Sequence, residues 1–481
     1  MIRRQLTRLA RHSLVYGIGG IVSRVVAIFL LPIYTGYLSP SDYGVVAVII
    51  AAEAVAVIFL RAGVQNAFFR FYFDSTDSLR RRTVVRTAFW FTIVSSTLGL
   101  ILGLVLAPQI ASALGLGGGQ SNLVRAASVL LWADMNYQQQ TALFRVEERS
   151  HSFVIASLAN VAITIAATVV LVVWLHKGPL GLIVGNFTGT LSVYFVLLAY
   201  RAKLLGLEFD RKLYKAMEQF GLPLIPSALA LWSTRFIDRL FLNHFLGKGD
   251  VGVYAFGVTI ASALTLIITA FQLAWPAFAY SIEDDDEARH TYSYVLTYYL
   301  LVMTWAAVAL SLTAPWIAEI LASKPGYLPG SRFVPLFAFA SVAIAGYSVV
   351  LIGIGRVRKT RSNWLITGSG AIVDVVLNIV LIPRVGAMGA AIALVAAYVT
   401  MFVGMSWRAQ RLFPVPYQWR RITTLIAAGV GLVVLGKALS VSLPLAIALT
   451  AAFPIALFPL GFYLASERAQ IVRLARRLRP T

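Results

Sequence analysis

The stretch Leu38-Ser39-Pro40-Ser41-Asp42-Tyr43-Gly44-Val45-Val46-Ala47 recurs at a constant offset of 208 as Leu246-Gly247-Lys248-Gly249-Asp250-Val251-Gly252-Val253-Tyr254-Ala255, with five of ten positions identical. Each copy is a turn between two long apolar runs, and both turns fall on the same side of the alternating series of runs. A repeat that returns to the same side is parallel, its halves related by an axis along the membrane normal. Secondary transporters with that build carry the substrate path between the halves. The alternative at this level is a chance likeness between two apolar hairpins.

Composition places these runs in a membrane. Apolar residues are 59% of the 481 and charged residues 13%, against roughly a quarter charged in soluble domains. The runs reach the roughly 20 residues that a helix needs to cross about 30 Å of hydrocarbon, and the short alternating segments of a membrane barrel are missing. The expected fold is therefore all-α and integral to the membrane. Fourteen spans can be drawn, near 13–34, 45–67, 84–107, 122–143, 153–174, 179–200, 219–243, 251–280, 291–322, 333–354, 364–382, 387–407, 422–440 and 443–465. With the repeat, they predict an N-terminal lobe of spans one to six (1–207), a C-terminal lobe of spans seven to twelve (208–412), and two further spans with a basic tail (413–481). The first run, led by Arg3, Arg4, Arg8 and Arg11, is long for a secretory signal and lacks a small-residue cleavage site, so it reads as a retained span.

The 41 Lys+Arg against 20 Asp+Glu would suggest nucleic acid in a soluble chain, but their distribution obeys the positive-inside rule instead. With the N-terminus inside, the inner segments hold thirty basic residues and the outer ones six. Both termini are therefore expected in the cytoplasm. One inner loop carries the acidic run Glu283-Asp284-Asp285-Asp286-Glu287, which the rule does not explain. There is no cysteine, which excludes disulfides and thiol chemistry.

The five remaining basic residues, Arg24, Arg61, Arg125, Arg235 and Arg239, lie inside the expected spans. A charge at the bilayer centre costs roughly 2.5–3.5 kcal/mol on insertion scales, so such residues face a wet cavity or a partner. Arg235 and Arg239 are four apart and share a helical face with Asp238. Arg24, Arg61, Arg235 and Arg239 would then line one cavity between the lobes, where planar guanidinium forks suit phosphate oxygens. The other reading is structural: Asp238 neutralises a neighbouring arginine and Glu53 answers Arg61. Arg125, near an outer span end, can snorkel to water. Glu53, Asp134, Asp238 and Asp374 are candidates either for a coupling proton, since burial favours the protonated carboxyl, or for ion pairing.

No pair of the five histidines has metal-ligand spacing, so no metal or cofactor is expected. Gly17-Ile18-Gly19-Gly20 and Gly115 to Gly119 lack the strand–helix setting and the Gly-Lys-Ser/Thr of a phosphate loop. The run Asp134, Asn136, Tyr137, Gln138, Gln139 and Gln140 suits either sugar hydroxyls or bonds between helices. Pro32, Pro223, Pro226 and Pro276 suit bent helices. The tail from Arg468 to Arg479 suits an anionic inner leaflet.

These motifs have a family likeness. Ser13-Leu-Val-Tyr-Gly-Ile-Gly, Leu31-Pro32-Ile-Tyr34, Leu38-Ser-Pro40-Ser-Asp42-Tyr-Gly44, Leu143-Phe-Arg145-Val-Glu147-Glu148-Arg149-Ser, Gly221-Leu-Pro223-Leu-Ile-Pro226, Asp238-Arg239 and Gly247-Lys-Gly-Asp250-Val-Gly252-Val-Tyr254 resemble the bacterial Wzx-type polysaccharide flippases. Those belong to the multidrug/oligosaccharidyl-lipid/polysaccharide exporter superfamily. The resemblance covers roughly residues 10 to 410. It implies two six-helix bundles around a cationic cavity, working by alternating access, with the last two spans as an appendage. It implies movement of undecaprenyl-pyrophosphate-linked oligosaccharide across the bacterial inner membrane for O-antigen or exopolysaccharide synthesis, beside a polymerase and glycosyltransferases. It also places Arg24 and Arg61 at the pyrophosphate. Nucleic acid is not an expected partner, and no enzymatic activity is expected. The rivals are a lipid II flippase, a drug/cation antiporter of the same superfamily, and a polymerase or ligase. The antiporter would want a carboxylate-dominated cavity, and the polymerase or ligase a large outer loop.

Overall fold

A computed structural model describes residues 28–75, 77–357, 363–465 and 467–468. Arg24, Gly17 to Gly20, the first span up to residue 27 and the basic tail beyond Arg468 lie outside the described residues. The rest is helical, with no β-strand among the described residues, and eleven of the described helices are long and apolar enough to cross a membrane.

The first span ends in α1 (Leu31–Tyr37), and α2 (Pro40–Arg61) begins at once. The start of α2 is five residues earlier than apolarity alone suggests. Ser39 and Asp42 form a capping box in which the Ser39 hydroxyl accepts from the Asp42 amide at 3.1 Å and the Asp42 carboxylate from the Ser39 amide at 3.0 Å, satisfying two otherwise orphaned donors. Its end is also earlier than expected. Ala62 and Gly63 turn left-handed (φ 45° and 71°), and the chain restarts as α3 (Val64–Phe73).

The next elements are α4 (Ser78–Val105), the short α5 (Ala107–Ala113), α6 (Ser121–Val146), α7 (Ser150–Trp174) and α8 (Gly178–Leu205). After α9 (Arg211–Gly221), a bent α10 (225–245) forms the seventh span, followed by α11 (Lys248–Ala261) and α12 (Ala263–Ser281). Then come α13 (Asp285–Leu321), α14 (Val334–Arg356), α15 (Asn363–Val385), α16 (Ala387–Leu412), α17 (Trp419–Ala438) and α18 (Leu443–Ala456).

Helix α6 is too polar to stand among the eleven, and its burial inside the first bundle accounts for this. Asn136, Gln139 and Gln140 are buried, and Asn136 donates to the Ser96 hydroxyl at 2.8 Å.

The internal repeat is visible in packing order. In the first half α4 packs on α6, α6 on α8 and α7 on α8; in the second α13 packs on α14, α14 on α16 and α15 on α16. The halves meet where α2 crosses α11. A Cβ on Gly44 would stand 1.9 Å from the Lys248 carbonyl oxygen, and one on Gly252 would stand 1.8 Å from the Pro40 carbonyl oxygen. Both pairs are related by the offset of 208, so the local two-fold axis runs through this crossing. Around it the neighbouring loops and helix ends are cross-bonded. Lys248 donates to the Leu116 carbonyl (2.6 Å), Asn243 to Leu114 (2.6 Å) and Thr35 to Leu321 (2.8 Å), while the Tyr43 and Thr259 hydroxyls lie 3.2 Å apart.

The last two helices lie against α13, with buried Arg421 paired to Glu467 at 2.8 Å. The acidic run gains an explanation as well. Asp284 caps α13 by accepting from the Glu287 amide, Asp285 pairs with Arg356 at 2.7 Å and Asp286 with Arg289 at 2.6 Å. Negative charge at a helix N-terminus is favourable.

Candidate functional site

The bend of α10 sets the geometry of the intramembrane charges. Pro223 and Pro226 open the seventh span, and one wide π turn (Ser233–Ile237) separates Ile225–Trp232 from Asp238–Phe245. Such turns shift helical register and recur at functional sites. Here the turn carries Arg235. The Trp232 indole donates to the Ala51 carbonyl at 2.9 Å, tying α10 to α2 of the opposite half, and the Tyr398 hydroxyl reaches the Thr234 carbonyl at 3.4 Å.

A cavity of about 350 Å³ opens beside the turn, with Arg235, Asp238, Arg239, Gln272, Ser341 and Tyr398 in its wall. Arg239 is paired with Asp238 at 3.1 Å and also donates to the Arg235 carbonyl. Asp238 is buried, and the Tyr254 hydroxyl donates to its other oxygen. Arg235 is exposed in this wall and makes no ion pair among the described residues. The lining therefore carries two guanidinium groups and one carboxylate already engaged, which leaves room for an anion at Arg235. Asp374, 1% exposed, sits within electrostatic reach of Asp238 and is bonded by Asn378, 3.2 Å from its oxygen.

The first half is wired differently. Arg61 lies 3.6 Å from Asp134, not beside Glu53 in an ion pair, and Asp134 also accepts from the Gln138 amide at 2.8 Å. Arg61 borders a narrow cavity of about 160 Å³ shared with Gln65, Asn66, Leu224 and Ile225. Glu53 faces a separate, mostly apolar cavity of about 310 Å³ between α2, α4 and α6. Arg61 and the Arg235–Arg239 pair thus stand in different cavities, and Arg24 lies outside the described residues. Arg125 is exposed and bonds Asn122 at 2.8 Å, as expected of a snorkelling side chain.

Sequence reading missed two residues of this network. Tyr254 belongs to the repeat motif, but nothing in its spacing tells that it meets Asp238 from another helix. Arg201 counts as an inner-loop charge, yet it is 4% exposed, donates to the Gln140 carbonyl and covers the Phe144 ring at 4.1 Å. The motif Phe144-Arg145-Val146-Glu147 was the available signal, since Glu147 lies 3.5 Å from Arg201.

Residues 35–324 match the family described as polysaccharide biosynthesis protein. The chain belongs to this family. Among relatives of this polysaccharide biosynthesis protein, an uncharacterized membrane protein of Methanocaldococcus jannaschii is 25% identical over 46% of the chain and 44% of its own length. Lsg locus putative protein 1 of Haemophilus influenzae is 23% identical over 56% of the chain and 65% of its own length. The chain thus spans less than two thirds of the length of either relative.

The fold is that of two solved transporters. A lipid II flippase MurJ in an inward closed conformation has a TM-score of 0.74 at 12% identity, covering 93% of the chain and 99% of that structure. An inward-facing multidrug resistance MATE transporter of the MOP superfamily has a TM-score of 0.68 at 14% identity, covering 84% and 98%. The polysaccharide biosynthesis protein is accordingly a multi-pass membrane protein with the fold that these two transporters share.

Proposed function

We propose that the protein is a flippase that carries an undecaprenyl-pyrophosphate-linked oligosaccharide from the cytoplasmic to the outer leaflet of the bacterial inner membrane, for O-antigen or exopolysaccharide synthesis. The observation that carries this reading is Arg235, an intramembrane guanidinium without an ion pair among the described residues, in a polar cavity beside the contact between α10 and α2. A pyrophosphate and its sugars cannot enter hydrocarbon without a large desolvation cost. A guanidinium offers the phosphate oxygens a planar fork of donors at any physiological pH. Gln272, Ser341 and Tyr398 supply neutral polar groups for the neighbouring head, while the polyprenyl tail stays in lipid.

In this reading residues 1–207 and 208–412 are the two moving bodies, and 413–481 is an appendage. The cross-bonded end at the α2–α11 crossing would be the outer side, which would make this state the cytoplasm-facing half of the cycle. Breaking the α2–α11 crossing would open the outer face, with both termini remaining cytoplasmic. Arg24 and Arg61 would meet the anion on the N-terminal side, with Arg61 released from Asp134 as the pyrophosphate arrives. Asp238 and Asp374, or Glu53 and Asp134, would carry a coupling proton. A cytoplasm-negative potential would add roughly 2.3 kcal/mol per charge per 100 mV to export of the anion. The partners would be the glycosyltransferases that build the lipid-linked sugar inside and the polymerase that consumes it outside. A drug/cation antiporter is disfavoured because the C-terminal cavity holds two arginines to one aspartate.

The test is a flipping assay in proteoliposomes with polyprenyl-pyrophosphate oligosaccharide, lipid II and a lipophilic cation as parallel cargoes. Flipping of the oligosaccharide alone, or at least tenfold faster than lipid II, supports the reading. Lipid II moving as fast or faster makes peptidoglycan precursor export the better account, and transport of the cation alone makes the protein an antiporter.

A further inference from the structure

A second cavity lies well away from the intramembrane arginines. It is an open groove of about 920 Å³ between the inner half of α4 and helix α9. Trp90, Val94 and Leu98 recur every four residues of α4 and form a single apolar stripe along one wall. Val94 is 65% and Leu98 54% exposed. The opposite wall is α9, whose Tyr214 ring stacks on Phe91 at 5.1 Å. Arg211 and Lys215, one turn apart on the same face of α9, are exposed and make no ion pair among the described residues. The one carboxylate in the lining is Glu218, whose oxygen accepts from the Tyr214 hydroxyl at 3.2 Å.

Depth fixes which end of the groove is wet. Asp210, which caps α9, lies 3.5 Å from Arg80 and its amide donates to Thr87. Arg80, Arg81, Arg82 and Arg86 mark the inner-interface end of α4. From there α9 climbs to Gly221, which touches the backbone of Gly63. The unpaired cations thus stand at headgroup level and the apolar stripe at the level of acyl chains. Two free cations over an apolar trough at the cytoplasmic interface match one amphiphile, with an anionic head and hydrocarbon chains.

We infer that this groove binds an anionic phospholipid of the cytoplasmic leaflet, its phosphate on Arg211 and Lys215 and its chains against Val94 and Leu98. Such a lipid bridges α4 of the first bundle to α9. The chain runs on from α9 into α10, which carries Arg235, so the lipid ties the start of that helix to the first bundle. The inference is independent of what the protein transports.

The experiment is native mass spectrometry of the full chain with phosphatidylglycerol and phosphatidylcholine offered at equal concentration. Wild type should retain phosphatidylglycerol preferentially, and R211A/K215A should weaken that binding by roughly fivefold for each cation removed. Arg211→Lys with Lys215→Arg should preserve it. Val94→Trp, a change at a lipid-facing position that obstructs the trough, should lower occupancy without touching a charge. Equal retention of both phospholipids, phosphatidylglycerol binding unchanged in both R211A/K215A and Val94→Trp, or displacement of phosphatidylglycerol by polyprenyl phosphate at one-to-one stoichiometry would overturn the assignment. The last outcome would give the groove to the substrate's own tail.

Discussion

In the first bundle Arg61 is held 3.6 Å from Asp134, whose side chain is 33% exposed; in the second, Arg239 takes the buried Asp238, and Arg235, four residues away, stands without an ion pair among the described residues. The two bundles repeat one packing order and cross at repeat-related glycines, yet their charges are arranged differently. A packing order needs only matching apolar and small side chains, so it can persist while polar positions diverge. The difference separates charges that are engaged within the scaffold from one that, in the proposed function, is left over for an anionic ligand. Asp238 with Tyr254 and Arg239 is a tight, buried knot. Arg61 with Asp134 is a loose pair that a stronger anion could open, and Arg235 is free to meet one.

The sharpest way to break this comparison is to remove one acid from each bundle. Asp238→Ala leaves Arg239 and the Tyr254 hydroxyl without their buried partner and should destabilise the protein by about 3–5 kcal/mol. Asp134→Ala removes a wider and less buried pair and should cost less, about 1–2 kcal/mol. Thermal unfolding in detergent compares them, and equal losses would erase the distinction between knot and loose pair. Next in size, Gly252→Ala forces a Cβ against the Pro40 carbonyl and should destabilise by about 1–3 kcal/mol through overpacking. By the symmetry of the crossing, Gly44→Ala should cost about the same. A large effect at one glycine and none at the other would mean that the local axis does not pass between them.

Outside the membrane the effects are smaller and depend on pH. The Arg86 guanidinium donates to Glu208 at 2.7 Å and holds its carboxyl below the usual range of about 4.5. A depressed folded-state value means that the contribution to stability is present above about pH 4.5 and fades as pH falls through the lower folded value. Glu208→Gln should therefore lower the melting temperature slightly at pH 7, and the difference should shrink steadily as pH falls below about 4.5. A difference that persists at low pH would assign the effect to packing.

Much of the fold was legible because hydrocarbon thickness constrains the helices of a membrane chain so strongly. Apolar length was enough to draw the spans that the structure shows as long apolar helices. The early start of α2 was legible too, since Ser39 and Asp42 have capping-box spacing, but apolarity alone placed it inside the turn. The break at Ala62–Gly63 was not, because Arg61 and Gln65 would continue an acceptable helix and only Gly63's approach to Gly221 shows why the chain turns.

At the site, the shared face of Arg235, Asp238 and Arg239 followed from helical spacing. The partner choices did not, because Asp134 and Tyr254 arrive from other helices and a π turn is invisible to periodicity. The same limit governs the α4–α9 groove. Its cations were counted as inner-loop charge, and only the climb of α9 along α4 sets them over an apolar trough.

The account rests on Arg235 as the group that meets the pyrophosphate. The most direct measurement is the flipping rate of polyprenyl-pyrophosphate oligosaccharide in proteoliposomes for wild type, Arg235→Ala and Arg235→Lys, with thermal unfolding of each. Loss of a charge-assisted contact of about 1.5–3 kcal/mol predicts a fall of roughly ten- to a hundredfold for Arg235→Ala, partial activity for Arg235→Lys, and unfolding temperatures like that of wild type. Wild-type flipping by Arg235→Ala would contradict the account and leave the C-terminal cavity without a role in binding the anion.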